Sequence, residues 1–195
     1  FEAATAAGHP EDLLRAVPVE PGDVVRVVPG TMHAIGRGTF LLELQEPSDT
    51  TYRVWDFGRL GLDGKPREIH VDDAMAVATF GPDQPPTKLA PVALGDGHDL
   101  LVDAPRYRLE RLRLDGPRLE EGRTLTLDGG TPLLCLVLEG AATFTRPAAG
   151  GGDEVVARAR FETVVIPADS APVTVTGPAV LALGGLGGAP LARVS

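Results

Sequence analysis

Hydrophobic and polar residues alternate over short runs along most of this chain, and the runs are separated by glycine, proline or aspartate. A period of two sends successive side chains to opposite faces of a strand. In the first half the pattern predicts strands at Val24–Val28, Thr39–Gln45 and Thr50–Phe57, with turns at Pro29-Gly30-Thr31 and Pro47-Ser48-Asp49. From about residue 100 the chain reads as strand throughout. The segments are Tyr107–Leu114, Thr124–Leu127, Leu133–Leu138, Ala141–Thr145, Val155–Ala159, Thr163–Ile166, Val173–Thr176 and Val180–Leu183. Asp128-Gly129-Gly130, Glu139-Gly140 and Ala149-Gly150-Gly151-Gly152 supply turns between them. Many short strands at this spacing point to an antiparallel jelly roll or sandwich.

Helical pattern is confined to two places. Residues 2–16, rich in Ala, Glu and Leu and ending at Val17-Pro18, read as the last part of a helix. Asp72–Thr79 reads as a short helix with Asp72 and Asp73 placed favourably at its N-terminus. Residues 81–99 hold four prolines and no periodicity, and read as a connector. The expected organisation is the end of a helical segment (1–18), the later part of a β-barrel (19–80), the connector (81–99) and a second all-β domain (100–195).

Composition sharpens this picture in three respects. The 24 glycines and 18 prolines among 195 residues are well above the roughly 12% that the two types usually make up together, which disfavours long helices. A net charge of −9 makes nucleic acid a poor partner, since that binding needs clustered cations. Arg106, Arg108, Arg111 and Arg113 are close in sequence, but Glu110 and Asp115 interleave them, so the segment reads as a solvated strand. The single cysteine, Cys135, lies in the apolar run LLCLVL and reads as a buried small hydrophobe. It permits no disulfide within the chain, which suits a reducing compartment. No apolar run is long enough for a membrane helix, and no membrane partner is expected; a cytoplasmic location follows as the default. The chain begins with Phe1 rather than Met, and FEAATAAGHPEDLL is not a signal peptide. It reads as a piece of a longer chain.

Most chemistry-bearing residues lie between Pro21 and His70. His33 follows a proline-glycine turn at a strand start. In a barrel this residue is either a satisfied rim histidine or a metal ligand pointing at the lumen. Arg53 shares a strand face with Thr51 and Trp55, and reads as an exposed edge cation or as a lumen-facing group directed at an anion. Glu43, between Leu42 and Leu44, must face water, a polar cavity or a paired cation. His9 and His98 read as solvated loop residues.

The run VEPGDVVRVVPGTMHAIGRGTFLLELQEPSDTTYRVWDFGRLGLDGKPREIH closely resembles the signature region of type I phosphomannose isomerases. These are zinc-dependent cupin enzymes that interconvert mannose 6-phosphate and fructose 6-phosphate. The pieces PGT-x-HAIG, LLELQ, SDTTYRV and GKPREIH stand in the family's order and spacing, and the all-strand region after residue 100 resembles the family's C-terminal β-domain. The resemblance implies a mainly β fold of cupin or jelly-roll type: the closing part of a catalytic barrel, then a C-terminal β-domain without metal ligands. It implies that His33 is the zinc ligand reached last in sequence, that Arg53 is the active-site arginine and that Glu43 is a carboxylate of the substrate pocket. His70 lies in a family-typical stretch but carries no implied ligand role, and reads as structural. One departure is that Pro29 stands one place later than the family's usual Pro-Ala-Gly-Thr; Gly30 and His33 keep their spacing.

The family's remaining zinc ligands, a Gln-x-His pair and a Glu, lie upstream of its helical segment. Nothing in this chain matches them. The chain therefore reads as carrying the second half of an isomerase active site, one Zn2+ per complete protein, and as inactive alone toward the sugar phosphate. Two other readings remain: a truncated, non-catalytic cupin, and a metal cupin acting on another sugar.

Overall fold

The computed structural model describes residues 2–8, 10–81, 88–114, 122–126 and 131–195. His9 and the turn at Asp128-Gly129-Gly130 lie outside these residues, as does most of the proline cluster of the connector. The chain divides into two compact units, Phe1–Lys88 and Leu89–Ser195.

The first unit has little regular structure. Helix α1 (Glu2–Ala7) is followed by a 3-10 turn at Pro10–Leu13, so the helix expected over 2–16 is broken. Gly8 ends α1 with φ +86°, a value that glycine tolerates and other residues avoid. Strand β1 covers Val24–Val25 only. The strands expected at 39–45 and 50–57 are not formed, because neither segment runs beside another described segment that takes up its backbone groups in a ladder. Their alternation is real, yet Phe40, Leu41 and Leu42 are 80%, 46% and 45% exposed. Helix α2 (Val71–Val77) forms close to where Asp72 and Asp73 predict it, and both acids lie in its first turn. Among the described residues no helix is long and apolar enough to cross a membrane.

A short strand β2 (Lys88–Leu89) stands at the junction of the units in sequence. The second unit then builds antiparallel sheet from β3 (Val92–Gly95), β4 (His98–Asp103), β5 (Arg108–Leu114), β6 (Arg123–Thr126), β7 (Leu133–Pro147), β8 (Asp153–Ala159), β9 (Thr163–Ile166), β10 (Val173–Thr176), β11 (Ala179–Gly185) and β12 (Arg193–Val194). β3 and the start of β4 fall within the expected connector. Asp96-Gly97 joins them, with Gly97 at φ +67°, and an Asp-Gly pair at a hairpin tip is a strong turn signal that the prolines nearby obscure.

Glu139-Gly140 is not a turn between two strands. β7 continues through it, pairing with β11 and β9 before the glycine and with β8 and β10 after it. Leu138 is the extra residue of a bulge, since Val180 pairs with Glu139 and Leu181 with Val137. One bent strand thus belongs to both sheets, which close on a core that includes Leu112, Leu125, Cys135, Val137, Val175 and Leu181. The architecture is mainly β and of jelly-roll type, as the alternation predicts.

The charged stretch of β5 is a strand, but not a solvated one. Its burial alternates strictly, with Arg108, Glu110, Leu112 and Leu114 on the inner face. His98 is 7% exposed and Glu110 fully buried, so His98 is no solvated loop residue. Charges reach the interior here because they satisfy one another. Glu110 accepts from His98 Nε2 at 2.8 Å and from Arg108 Nε, and Arg108 also donates to Asp103 at 3.0 Å. Burial alone would raise the Glu110 carboxyl, but the His98 and Arg108 hydrogen bonds outweigh it and hold the group below its ordinary value. Asp99 is held low in the same way, with Arg111 and Arg113 outweighing burial.

Candidate active site

The chemistry-bearing residues of the first unit are placed by two turns and a helix. Val28-Pro29-Gly30-Thr31 forms a β-turn closed by Thr31 N–H donating to Val28 O at 3.1 Å. Pro29 and Gly30 take its central positions, with Gly30 at φ +84°, the pairing that a type II turn calls for. The C-terminal end of α2 seats on this turn. Thr79 N–H donates to Gly30 O at 2.9 Å, and a Cβ on residue 30 would stand 2.8 Å from Val77 O. Glycine at position 30 is therefore demanded twice, by conformation and by the close approach of α2.

His33 follows the turn and is exposed. Its Nδ1 lies 2.9 Å from Thr31 O. A carbonyl oxygen only accepts, so Nδ1 carries a proton, and in the neutral ring Nε2 then keeps its lone pair. A backbone carbonyl that fixes the tautomer in this way is the usual support of a metal-binding histidine. His33 lines a shallow hollow of about 60 Å³ with Glu11, Met32, Val54, Trp55 and Phe57 among its neighbours. Trp55 Nε1 is buried and finds no hydrogen-bond partner among the described residues.

Arg53 immediately precedes the hollow's Val54 and Trp55, and three hydrogen bonds hold it. His70 N–H donates to Arg53 O at 2.7 Å, Arg53 N–H donates to His70 Nδ1 at 3.2 Å, and Arg53 Nη1 donates to Glu68 O at 3.1 Å. Three residues further on, Asp56 accepts from both Arg67 and Arg59. The Arg67 hydrogen bond, assisted by Arg59, holds the Asp56 carboxyl well below the usual carboxylate range. Segment 53–56 is thus latched to 67–70 at both ends. The acid–base spacing of Asp56 and Arg59 is visible in sequence; the partnership of Asp56 with Arg67, eleven residues away, is not.

The structure therefore brings His33 to one hollow with Val54 and Trp55, the residues that follow Arg53, while Arg53 itself does not line it. It does not bring Glu43 there. Glu43 is exposed and makes no hydrogen bond or ion pair with a described residue. His33 fits zinc by its tautomer and free Nε2. Among the described residues, however, no three His, Cys, Asp or Glu gather closely enough to hold a metal ion, and catalytic zinc normally takes about three protein ligands. The described residues thus fit one ligand of a zinc site and do not complete it.

No protein-family model matches the chain. Curated relatives do. The chain is 40% identical over 114 residues to a mannose-6-phosphate isomerase of Streptococcus mutans, covering 57% of this chain and 35% of that protein. It is 49% identical over 70 residues to the Bacillus subtilis mannose-6-phosphate isomerase ManA, covering 36% of this chain and 22% of that one. The chain resembles part of a mannose-6-phosphate isomerase. It spans about a third or less of the length of these relatives. A crystal structure of the mannose 6-phosphate isomerase from Bacillus subtilis superposes with a TM-score of 0.55 over 70% of this chain and 40% of that one, at 23% identity. That likeness supports the fold, and the mainly β, cupin-type architecture agrees with it.

Proposed function

We propose that the protein carrying this chain is an aldose–ketose isomerase interconverting mannose 6-phosphate and fructose 6-phosphate, and that residues 19–80 are the later part of its catalytic barrel. The second β unit is read as the domain without metal ligands, and a cytoplasmic location belongs to the same reading. The observation that carries the proposal is that His33, whose Nδ1 faces Thr31 O, lines one hollow with Val54 and Trp55, next in sequence to the latched Arg53. It occurs in a chain 40–49% identical to proteins named mannose-6-phosphate isomerase.

The reaction moves a proton between C2 and C1 of the open-chain sugar, and negative charge develops on oxygen through a cis-enediolate. A bound zinc ion supplies Lewis-acid polarisation of sugar oxygens, and His33 Nε2 is the ligand that this chain offers. Arg53 is always cationic and presents planar donors. With Nη1 engaged by Glu68 O, its remaining N–H groups are available to a developing oxyanion, and their orientation is set before substrate arrives. Removal of one preorganised donor of this kind costs on the order of 10²–10³ in rate. Glu43 lies outside the hollow, and its reading as a substrate-pocket carboxylate rests on the resemblance alone.

The test uses protein expressed from the complete reading frame. It should turn over mannose 6-phosphate and hold one zinc per chain; His33→Ala should lose the metal. Inactivity of zinc-replete protein toward mannose 6-phosphate, with turnover of another sugar, favours the metal cupin of other specificity. Absence of both zinc and turnover favours the non-catalytic cupin.

A further inference from the structure

His70 is the residue immediately before α2, where a side chain ordinarily turns back to cap the helix. Its side chain makes no capping hydrogen bond. Its backbone alone starts the helix, through Ala74 N–H donating to His70 O at 3.0 Å. The imidazole is committed elsewhere, and half-buried: Nδ1 accepts the Arg53 backbone N–H at 3.2 Å, while His70 N–H returns a bond to Arg53 O at 2.7 Å. Nδ1 can accept only if unprotonated, so a neutral ring carries its proton on Nε2, which faces Glu68 Oε2 at 3.6 Å. Tyr52 packs beside the ring at a centroid distance of 6.2 Å. The main chain of residue 53 is therefore gripped from both sides by one residue, while Glu68 O from the same short segment holds the guanidinium.

From this geometry we infer that His70 is a positioning residue for Arg53, acting through the acceptor atom Nδ1. The inference rests on the reading of Arg53 as a catalytic residue. A misplacement of about 1 Å in a reacting group can cost 10²-fold in rate, so losing the grip on the backbone of residue 53 lowers turnover without touching substrate. Glu68 cannot substitute, because it holds the side chain of Arg53 and not its N–H. The sequence reading of His70 as structural is thereby given a specific object.

The chemistry of the acceptor makes the inference testable. In asparagine, Oδ1 stands two bonds from Cβ, as Nδ1 does in histidine. In glutamine, Oε1 stands three bonds away, in the place of Nε2. In protein from the complete reading frame, His70→Asn should keep kcat within about threefold of wild type. His70→Gln and His70→Ala should lower kcat by roughly tenfold to a hundredfold, with KM changed less than about threefold. Equal kcat in the Asn and Gln variants, or wild-type kcat in His70→Ala, overturns the inference. Arg53→Ala is assayed in parallel. If it is impaired while His70→Gln is normal, only the positioning role fails; if Arg53→Ala turns over normally, the catalytic reading of Arg53 fails and the inference falls with it. A readout independent of turnover is the imidazole 15N spectrum of His70 in the wild-type protein. The Nε2–H tautomer is expected, and a proton on Nδ1 at neutral pH overturns the inference.

Discussion

His98 and Glu110, twelve residues apart on neighbouring strands, meet at 2.8 Å inside the second unit, where the carboxylate has no exposure to solvent. A buried charge survives only when its partners replace the water it has lost. Arg108 and His98 do so for Glu110, and removing the carboxylate would leave His98 Nε2 and Arg108 Nε without their buried acceptor. Glu110→Ala should destabilise the unit by about 3–5 kcal/mol, the usual cost of breaking a buried pair from one side. Chemical denaturation followed by the change in midpoint checks this; a change below about 1 kcal/mol contradicts it.

The same group sets an acid limit. Glu110 has its folded-state pKa below the ordinary 4.5, and Asp99 below the ordinary 3.8. A depressed carboxyl contributes stability that is fully present above its unfolded pKa and is lost as pH falls through the folded one. Stability of this unit should therefore hold from neutral pH to about 5 and decline progressively below about 4.5. Denaturant midpoints at successive pH values measure it, and a flat profile down to pH 3 would contradict the assignment.

Gly140 should tolerate no side chain. It has φ +70°, and a Cβ there would stand 1.8 Å from Pro178 O, a backbone atom that cannot swing aside. Strain at a positive φ alone costs on the order of 1–3 kcal/mol, and the clash adds to it. Gly140→Ala should lower stability by at least about 3 kcal/mol. By contrast, Gly150→Ala, with nothing within 4 Å of the added atom, should be nearly silent in the same thermal melt.

Arg53→Lys should behave almost as badly as Arg53→Ala, with kcat reduced on the order of 10²-fold. A lysine keeps the charge, but it is a single point donor. It cannot bond Glu68 O with one nitrogen while presenting a planar array to a substrate oxygen. Steady-state kinetics with zinc content verified decides the matter, and wild-type kcat in the lysine variant would reduce Arg53 to a general cation.

Cys135 should resist thiol reagents in the folded protein. Burial pushes its pKa up to about 12, so the reactive thiolate is almost absent at neutral pH. Labelling with an aromatic disulfide reagent should proceed only at the rate of unfolding. Prompt modification under native conditions would show the core to be more open than the packing describes.

Strand alternation makes most strands between Arg108 and Gly185 legible, because those segments find partners within the same unit and each face has a consistent environment. It does not reveal β3, β4 or β12, and it divides β7 into two. The same alternation over 39–45 and 50–57 misleads, since a strand also needs a neighbour that pairs with it in a ladder, and the contacts of 53–56 with 67–70 do not form one. Glu110 was misread for a related reason. Composition reports that β5 is charged, whereas only the register of β4 and β5 reveals that the charges cancel inside. In the candidate site, His33 and Arg53 are conspicuous by motif. The grip of His70 on Arg53 spans seventeen residues and depends on a side chain turning away from the helix it precedes. Local sequence rules would have assigned that side chain to the cap.

The bend of β7 at Gly140 carries a consequence for how the second unit comes apart. Because one continuous strand supplies ladder bonds to β11 and β9 on one side of the bend and to β8 and β10 on the other, neither sheet can peel away while the other stays whole. Disruption anywhere along the strand is felt at both ends, so the unit should melt in a single cooperative step, with the amides of β7 among the last to exchange with solvent.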